Sequence, residues 1–295
     1  MQILTLFFRG IAKIISYINT YFKTFLFLLL LVWLFSASSS SSVSVANLER
    51  IDLKGEILDT GAVLEKIINA KNDPNIKGVL FFIDSPGGAF APSMELALAI
   101  KDLKAQKPVI SYAAGTMASG SYLAGVAADK IYANPAAFIG SIGVIAQGMN
   151  INELAQKIGI KEQTIKAGTF KEAGTFTREW SKEERAYLQR LINNSYMLFV
   201  EFVAKERGLK VDEKEKWADA RVFLANEAKN LGLIDSLSNY EQAKKELEIL
   251  SKVANPVWKE ADKIDQFLEK LNQQNVQFFS TLSKNLLQNS KMQIF

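Results

Sequence analysis

The sequence has no histidine and no cysteine. The first absence rules out a Ser-His-Asp triad, the second a catalytic thiol and any disulfide, and together they remove every metal site built on those ligands. No metal and no cofactor is expected. A nucleophilic serine in this chain must give its proton to some other base. Lack of disulfides says little about compartment, because 295 residues that are 48% hydrophobic can bury a core that needs none. Charge of one sign is also scarce, with 35 basic against 31 acidic side chains and a net +4. There is no long Lys/Arg run with interleaved aromatics, so no nucleic-acid partner is expected.

Charge is missing locally as well. Between Lys23 and Glu49 no residue is charged, and Thr24 to Ala37 reads TFLFLLLLVWLFSA. Fourteen residues are short for a bilayer, which takes about 20 in helix, but the Ser/Val/Ala stretch that follows extends the span. Arg9, Lys13 and Lys23 precede it with no acid among them, which places the N-terminus in the cytoplasm and the remainder outside. The expected organisation is an interfacial leader (1–23), a transmembrane signal anchor (24–41), a linker (42–46), a catalytic domain (47–250) and a helical tail (251–295). A cleaved signal peptide is the competing reading, disfavoured by the long leader.

From residue 47 strands alternate with helices. LERIDLKGEI (48–57) alternates as a strand, and residues 61–73 have helical spacing up to Pro74. IKGVLFFID (76–84) and KPVISYAAG (107–115) are continuous apolar runs of the kind buried on both faces of a parallel sheet. Residues 93–106 form a helix between them, and residues 129–135 a short strand after a helix of small residues. This order predicts an α/β fold of stacked right-handed crossovers, with sites at the carboxyl ends of the strands. After Gly143 a strand, a helix, a second strand and a polar loop are expected. A long amphipathic helix follows over 181–208, capped by Ser181 with Glu183 and Glu184 in its first turn. Two shorter helices come next, then a tail with a stripe of Phe267, Leu271, Phe278 and Leu282.

Two glycine-bearing turns, DSPGGAF and GTMASGS, end adjacent predicted strands. Ser119 lies in the second. Its base would have to be a carboxylate or a lysine, and a lysine works only if an apolar site strips its charge. Lys130, Lys157 and Lys161 sit in polar contexts, whereas Lys171, in AGTFKEAGTF, lies among small and aromatic residues beside one acid, Glu172. Lys171 is therefore the better candidate base. Backbone amides of SPGG and of Gly120 are candidate oxyanion donors, although a plain tight turn is the commoner meaning of Pro-Gly.

These residues resemble a known family. An anchor, DSPGG (84–88), MASG (117–120), ADKIYANPAAFIGSIGVI (128–145) and TIKAGTFKEAG with TREWSKEER (164–174 and 177–185) are similar, in order and spacing over about residues 47–240, to the short single-domain type of bacterial signal peptide peptidase A. The resemblance implies a ClpP/crotonase-type α/β fold and a membrane-anchored serine endopeptidase that degrades signal peptides left in the membrane. It implies Ser119 as nucleophile, Lys171 as general base, the Gly88 and Gly120 amides as oxyanion hole, and Ser141 as the serine orienting the lysine. It further implies hydrophobic peptide substrates, a cytoplasmic-membrane location with the domain outside, and a homo-oligomer with active-site clefts between subunits. Ser121 and Ala89 stand where the family often has glycine. A same-fold protease cleaving hydrophobic segments of partner membrane proteins, a crotonase-type acyl-CoA enzyme and an inactive scaffold are the alternatives.

Overall fold

A computed structural model describes residues 2–37 and 45–259, and the chain divides into two units at Val45/Ala46. The first holds one continuous helix, α1 (Gln2–Ala37), which runs through the expected leader (1–23) and into the expected anchor (24–41). Phe25, Leu26, Phe27, Leu28, Leu29 and Leu30 are all exposed within it. Among the described residues no helix is long and apolar enough to cross a membrane. The expected anchor, 24–41, extends into residues that lie outside the described ones, as does the tail stripe from Phe267 to Leu282.

In the second unit β1 (Leu48–Ile57), α2 (Gly61–Asn72), β2 (Gly78–Gly88), α3 (Phe90–Lys104), β3 (Val109–Ala118), α4 (Gly120–Gly125) and β4 (Lys130–Ala133) follow one another as strand and crossover helix. The sheet runs β1-β2-β3-β4, all parallel. The apolar runs form central strands because each face meets a core. Val79, Phe81 and Ile83 of β2 point into the larger core with Leu96, Ile100 and Leu103 of α3, while Leu80 points into a smaller one with Ile110 and Tyr112. Full burial of a side chain such as Phe81 or Leu96 contributes about 1.5–3 kcal/mol.

The chain continues through β5 (Phe138–Gly140), α5 (Asn152–Lys157), α6 (Lys182–Arg207), α7 (Lys214–Trp217), β6 (Val222–Leu224), α8 (Ala225–Asn230), β7 (Ser236–Leu237) and α9 (Tyr240–Leu250). β5 extends the β3 edge in parallel and pairs antiparallel with β6, and β7 joins β4. Ala243 and Leu247 of α9 cover the smaller core. Helix α6 begins as expected: Ser181 Oγ accepts from Glu184 N at 3.2 Å, the Glu184 carboxylate accepts from Ser181 N at 2.8 Å, and Gly208 closes the helix at φ +65°. The two strands expected after Gly143 do not form. Residues 141–151 and 158–181 are irregular apart from turns, and Ile145, Ile160 and Ile165 are exposed, Ile165 fully so. An apolar alternation becomes a strand only where a neighbouring edge supplies ladder partners, and among the described residues none pairs with this segment.

Candidate active site

Strand β3 ends at Ala118, and the next residue turns the chain into α4. Ser119 has φ 52° and ψ −125°, a conformation that L residues rarely adopt and that costs about 1–3 kcal/mol. It persists because its surroundings fix both ends of the turn. Ser119 N donates to Gly140 O at 2.7 Å, Leu123 N donates to Ser119 O at 3.0 Å, and every residue of α4 is buried. Tyr122 O–H reaches Leu233 O at 2.8 Å from a site so buried that the phenol is pushed well above its ordinary range. Ser119 itself stays partly exposed at the tip.

The SPGG turn packs directly on this serine. A Cβ on Gly87 would lie 2.5 Å from Gly120 N, 2.7 Å from Ala118 O and 2.8 Å from Ser119 Cβ. A Cβ on Gly88 would lie 2.2 Å from Ile57 O, and one on Gly120 would lie 3.2 Å from Gly88 N. Only glycine lets the three backbones approach this closely. The Gly88 and Gly120 nitrogens therefore lie close together beside Ser119. A buried peg joins the two turns: Ser121 Oγ accepts from Ala118 N at 2.9 Å and donates to Ser85 O at 2.7 Å, while Ser85 Oγ accepts from Gly87 N at 3.1 Å. Ser121 thus fastens the two turns together. Its role depends on long-range hydrogen bonds, which no local pattern signals.

Backbone strain gathers at the same place. Four non-glycine residues among those described have positive φ, and Ser119 (52°), Ser141 (49°) and Ala220 (67°) are three of them. Gly140, between Ser119 and Ser141 in space, has φ +102°; Ser141 N donates to Arg221 O at 2.8 Å, and a Cβ on Gly143 would lie 2.7 Å from Ala220 Cβ. Ser119, Gly88, Gly120 and Ser141 are thus brought together by β2, β3 and β5. Gly87, Gly140 and Ala220 belong to the same construction and were not singled out by sequence. For Gly87 the signal was present, as the first glycine of the pair in SPGG.

Lys171 makes no hydrogen bond to any of them within the described residues. It lies exposed in the 168–175 turns, its amide donating to Gly168 O at 3.3 Å, and its ammonium makes no hydrogen bond or ion pair among the described residues. The neighbouring Glu172 is occupied elsewhere. It pairs with Lys166 and accepts from Arg178 at 3.0 Å, and these two bonds hold its carboxyl below the usual range. Farther along the same segment a groove of about 420 Å³ has a wall of mixed polarity, with Val144, Ile145, Trp180, Leu188 and Ile192 alongside Arg185 and Gln189. No cluster of acidic residues able to hold a metal occurs among the described residues.

A half-exposed serine on a strained turn with backbone amides at its side is an arrangement that can support acyl transfer. The profile of peptidase family S49 matches residues 101–254. The chain belongs to peptidase family S49. Within it, this S49 chain is 41% identical over 186 residues to a candidate protease of Methanocaldococcus jannaschii, covering 63% of this chain and 60% of that one. It is 35% identical over 198 residues to a candidate protease of Synechocystis, covering 67% and 72%. With a candidate signal peptide peptidase SppA of Enterococcus faecium it shares 31% over 208 residues, covering 66% and 60%. The match thus spans about 60% of the length of two of these three relatives. A solved membrane-bound stomatin-specific protease superposes with a TM-score of 0.48 at 17% identity, covering 69% of this chain and 86% of that one.

Proposed function

We propose that this S49 chain is a membrane-anchored serine endopeptidase in which Ser119 is the nucleophile and Lys171 the general base. The observation that carries the reading is the positive-φ turn at Ser119 held against Gly87 and Gly88. Neutral Lys171 Nζ takes the Ser119 Oγ proton as Oγ bonds to the scissile carbonyl carbon. The oxyanion that forms is met by the Gly88 and Gly120 amides, in a ClpP/crotonase-type site. The C–N bond then breaks as the lysine returns its proton to the leaving amine, and water releases the acyl group by the reverse sequence. Ser141 orients the lysine.

Lysine serves as a base only when shielded from water, yet Lys171 is exposed in the single chain. Ile145, Met149 and Ile165, on the same segment, are 80%, 79% and 103% exposed. A second copy covering this segment would bury the apolar side chains and complete the site, which supports a homo-oligomer with clefts between subunits. Remnant signal peptides are the proposed substrates, with Val144, Ile145, Trp180, Leu188 and Ile192 of the groove beside α6 as apolar contacts for them. Six consecutive apolar residues, Phe25 to Leu30, exposed all around α1, support an anchor in the cytoplasmic membrane with the catalytic unit on the outer side.

Full-length protein in detergent is expected to cleave a signal-peptide sequence, and Ser119→Ala and Lys171→Ala are each expected to lower kcat by at least about 10³-fold. Mixing the two variants should restore part of the rate if neighbours share sites. Either variant retaining most of the activity overturns the dyad.

A further inference from the structure

Next to Lys171 stands a carboxylate that would be its natural partner. Glu172 instead turns inward, its side chain 15% exposed, and accepts from Arg178 Nη2 at 3.0 Å while pairing with Lys166. The same guanidinium binds both oxygens of Glu184 at 2.8 Å, and Glu184 is fixed in turn by the Ser181 amide at the start of α6. Arg178 therefore straddles two carboxylates with its planar fork and ties the turn carrying Lys171 to the end of a 26-residue helix. Phe170 adds a second tie by stacking on Tyr187 of α6, centroids 4.8 Å apart. The charged and titratable groups around this turn are Glu162, Lys166, Glu172, Arg178, Glu184 and Tyr187, with Arg190 over the Tyr187 ring at 5.6 Å.

We propose that Arg178 is a positioning residue that holds Glu172 away from Lys171, so that the base lysine has no carboxylate partner in its own turn. This rests on the reading of Lys171 as general base. An ion pair with Glu172 would favour protonated lysine, the form that cannot accept the Ser119 proton. Charge neutralisation elsewhere thus does for Lys171 what covering by a neighbour cannot do alone.

The test is the pH dependence of kcat/KM of the full-length protein on an apolar fluorogenic peptide. Arg178→Ala, which leaves Lys166 as the one cation holding Glu172, is expected to move the acid limb upward by about one pH unit and lower the rate at neutral pH about tenfold. Adding Glu172→Gln to Arg178→Ala is expected to return the limb to its wild-type position. Arg178→Lys, an ammonium without the fork, moves it the same way by less, and serves if the alanine variant does not fold. A limb that stays in place in every foldable Arg178 variant, whatever the rate, overturns the proposal, as does a shift that Glu172→Gln leaves unrelieved. Lys171→Ala is run alongside: if it stays active the base reading itself falls, whereas an inactive Lys171→Ala with an unmoved Arg178 limb removes only the positioning role.

Discussion

Gly87 lies against Ser119 so closely that a methyl group on the glycine would sit 2.8 Å from the serine Cβ, and its φ of +93° is one side chains rarely adopt. Both constraints act at once in Gly87→Ala. Backbone atoms of Ala118 and Gly120 form the other walls, so relief requires the SPGG turn to withdraw from the serine. The variant is expected to lose more than about 100-fold in kcat, the scale of a lost oxyanion donor. Its thermal unfolding should fall by an amount corresponding to about 1–3 kcal/mol. Wild-type kcat in Gly87→Ala would show that the contact does not matter to the reaction.

Ser121→Ala removes the peg between the two turns. Ala118 N–H then loses its acceptor in a fully buried site and Ser85 C=O loses a donor. An unsatisfied buried group costs about 1–3 kcal/mol. Urea unfolding of the variant is expected to show a loss in that range, and a midpoint within error of wild type would contradict the role.

How far the sequence reveals this architecture depends on how local each signal is. The alternation of 48–57 and the helical spacing of 61–73 match β1 and α2 almost to the residue, because both patterns are set by one buried face. β2 runs on to Gly88 beyond the expected end at Asp84, because bulges at Lys54/Glu56 and Ile83/Ser85 let the SPGG turn stay paired with β1 at Ile57. β6 and β7 escape notice since each is two or three residues long and exists only through distant partners, Phe138 and Tyr132 among them. At the site, Ser119, Gly88, Gly120 and Ser141 are legible from turn chemistry and family spacing. The Ser121 peg and the Arg178 clamp are not, since both depend on where remote backbone and carboxylates arrive.

Glu184 offers a pH signature of the same segment. Its hydrogen bonds from Arg178 first, and then from the Ser181 amide, lower its carboxyl from 4.5 to about 2. Because the folded value is depressed, the stability it contributes is fully present above about pH 4.5 and is lost as pH falls toward 2. Glu184→Gln should flatten the stability-versus-pH curve across that window. An unchanged slope between wild type and variant would exclude the clamp as a contributor.

Peptide hydrolysis should also carry the mark of a lysine base. Only the neutral amine accepts the serine proton, so kcat/KM is expected to fall steadily as pH drops and Lys171 takes up a proton. A rate flat between about pH 5 and 9 cannot be reconciled with it.

The central claim is that Ser119 forms the covalent bond and Lys171 enables it. Mixing full-length protein with an apolar peptide activated ester, quenching in acid and weighing the intact chain and then its proteolytic fragments reads that bond directly. The account predicts a single acyl adduct on the fragment bearing Ser119, absent in Ser119→Ala and formed at least about 100-fold more slowly in Lys171→Ala. An adduct on another residue, or one formed at the wild-type rate without Lys171, would contradict it.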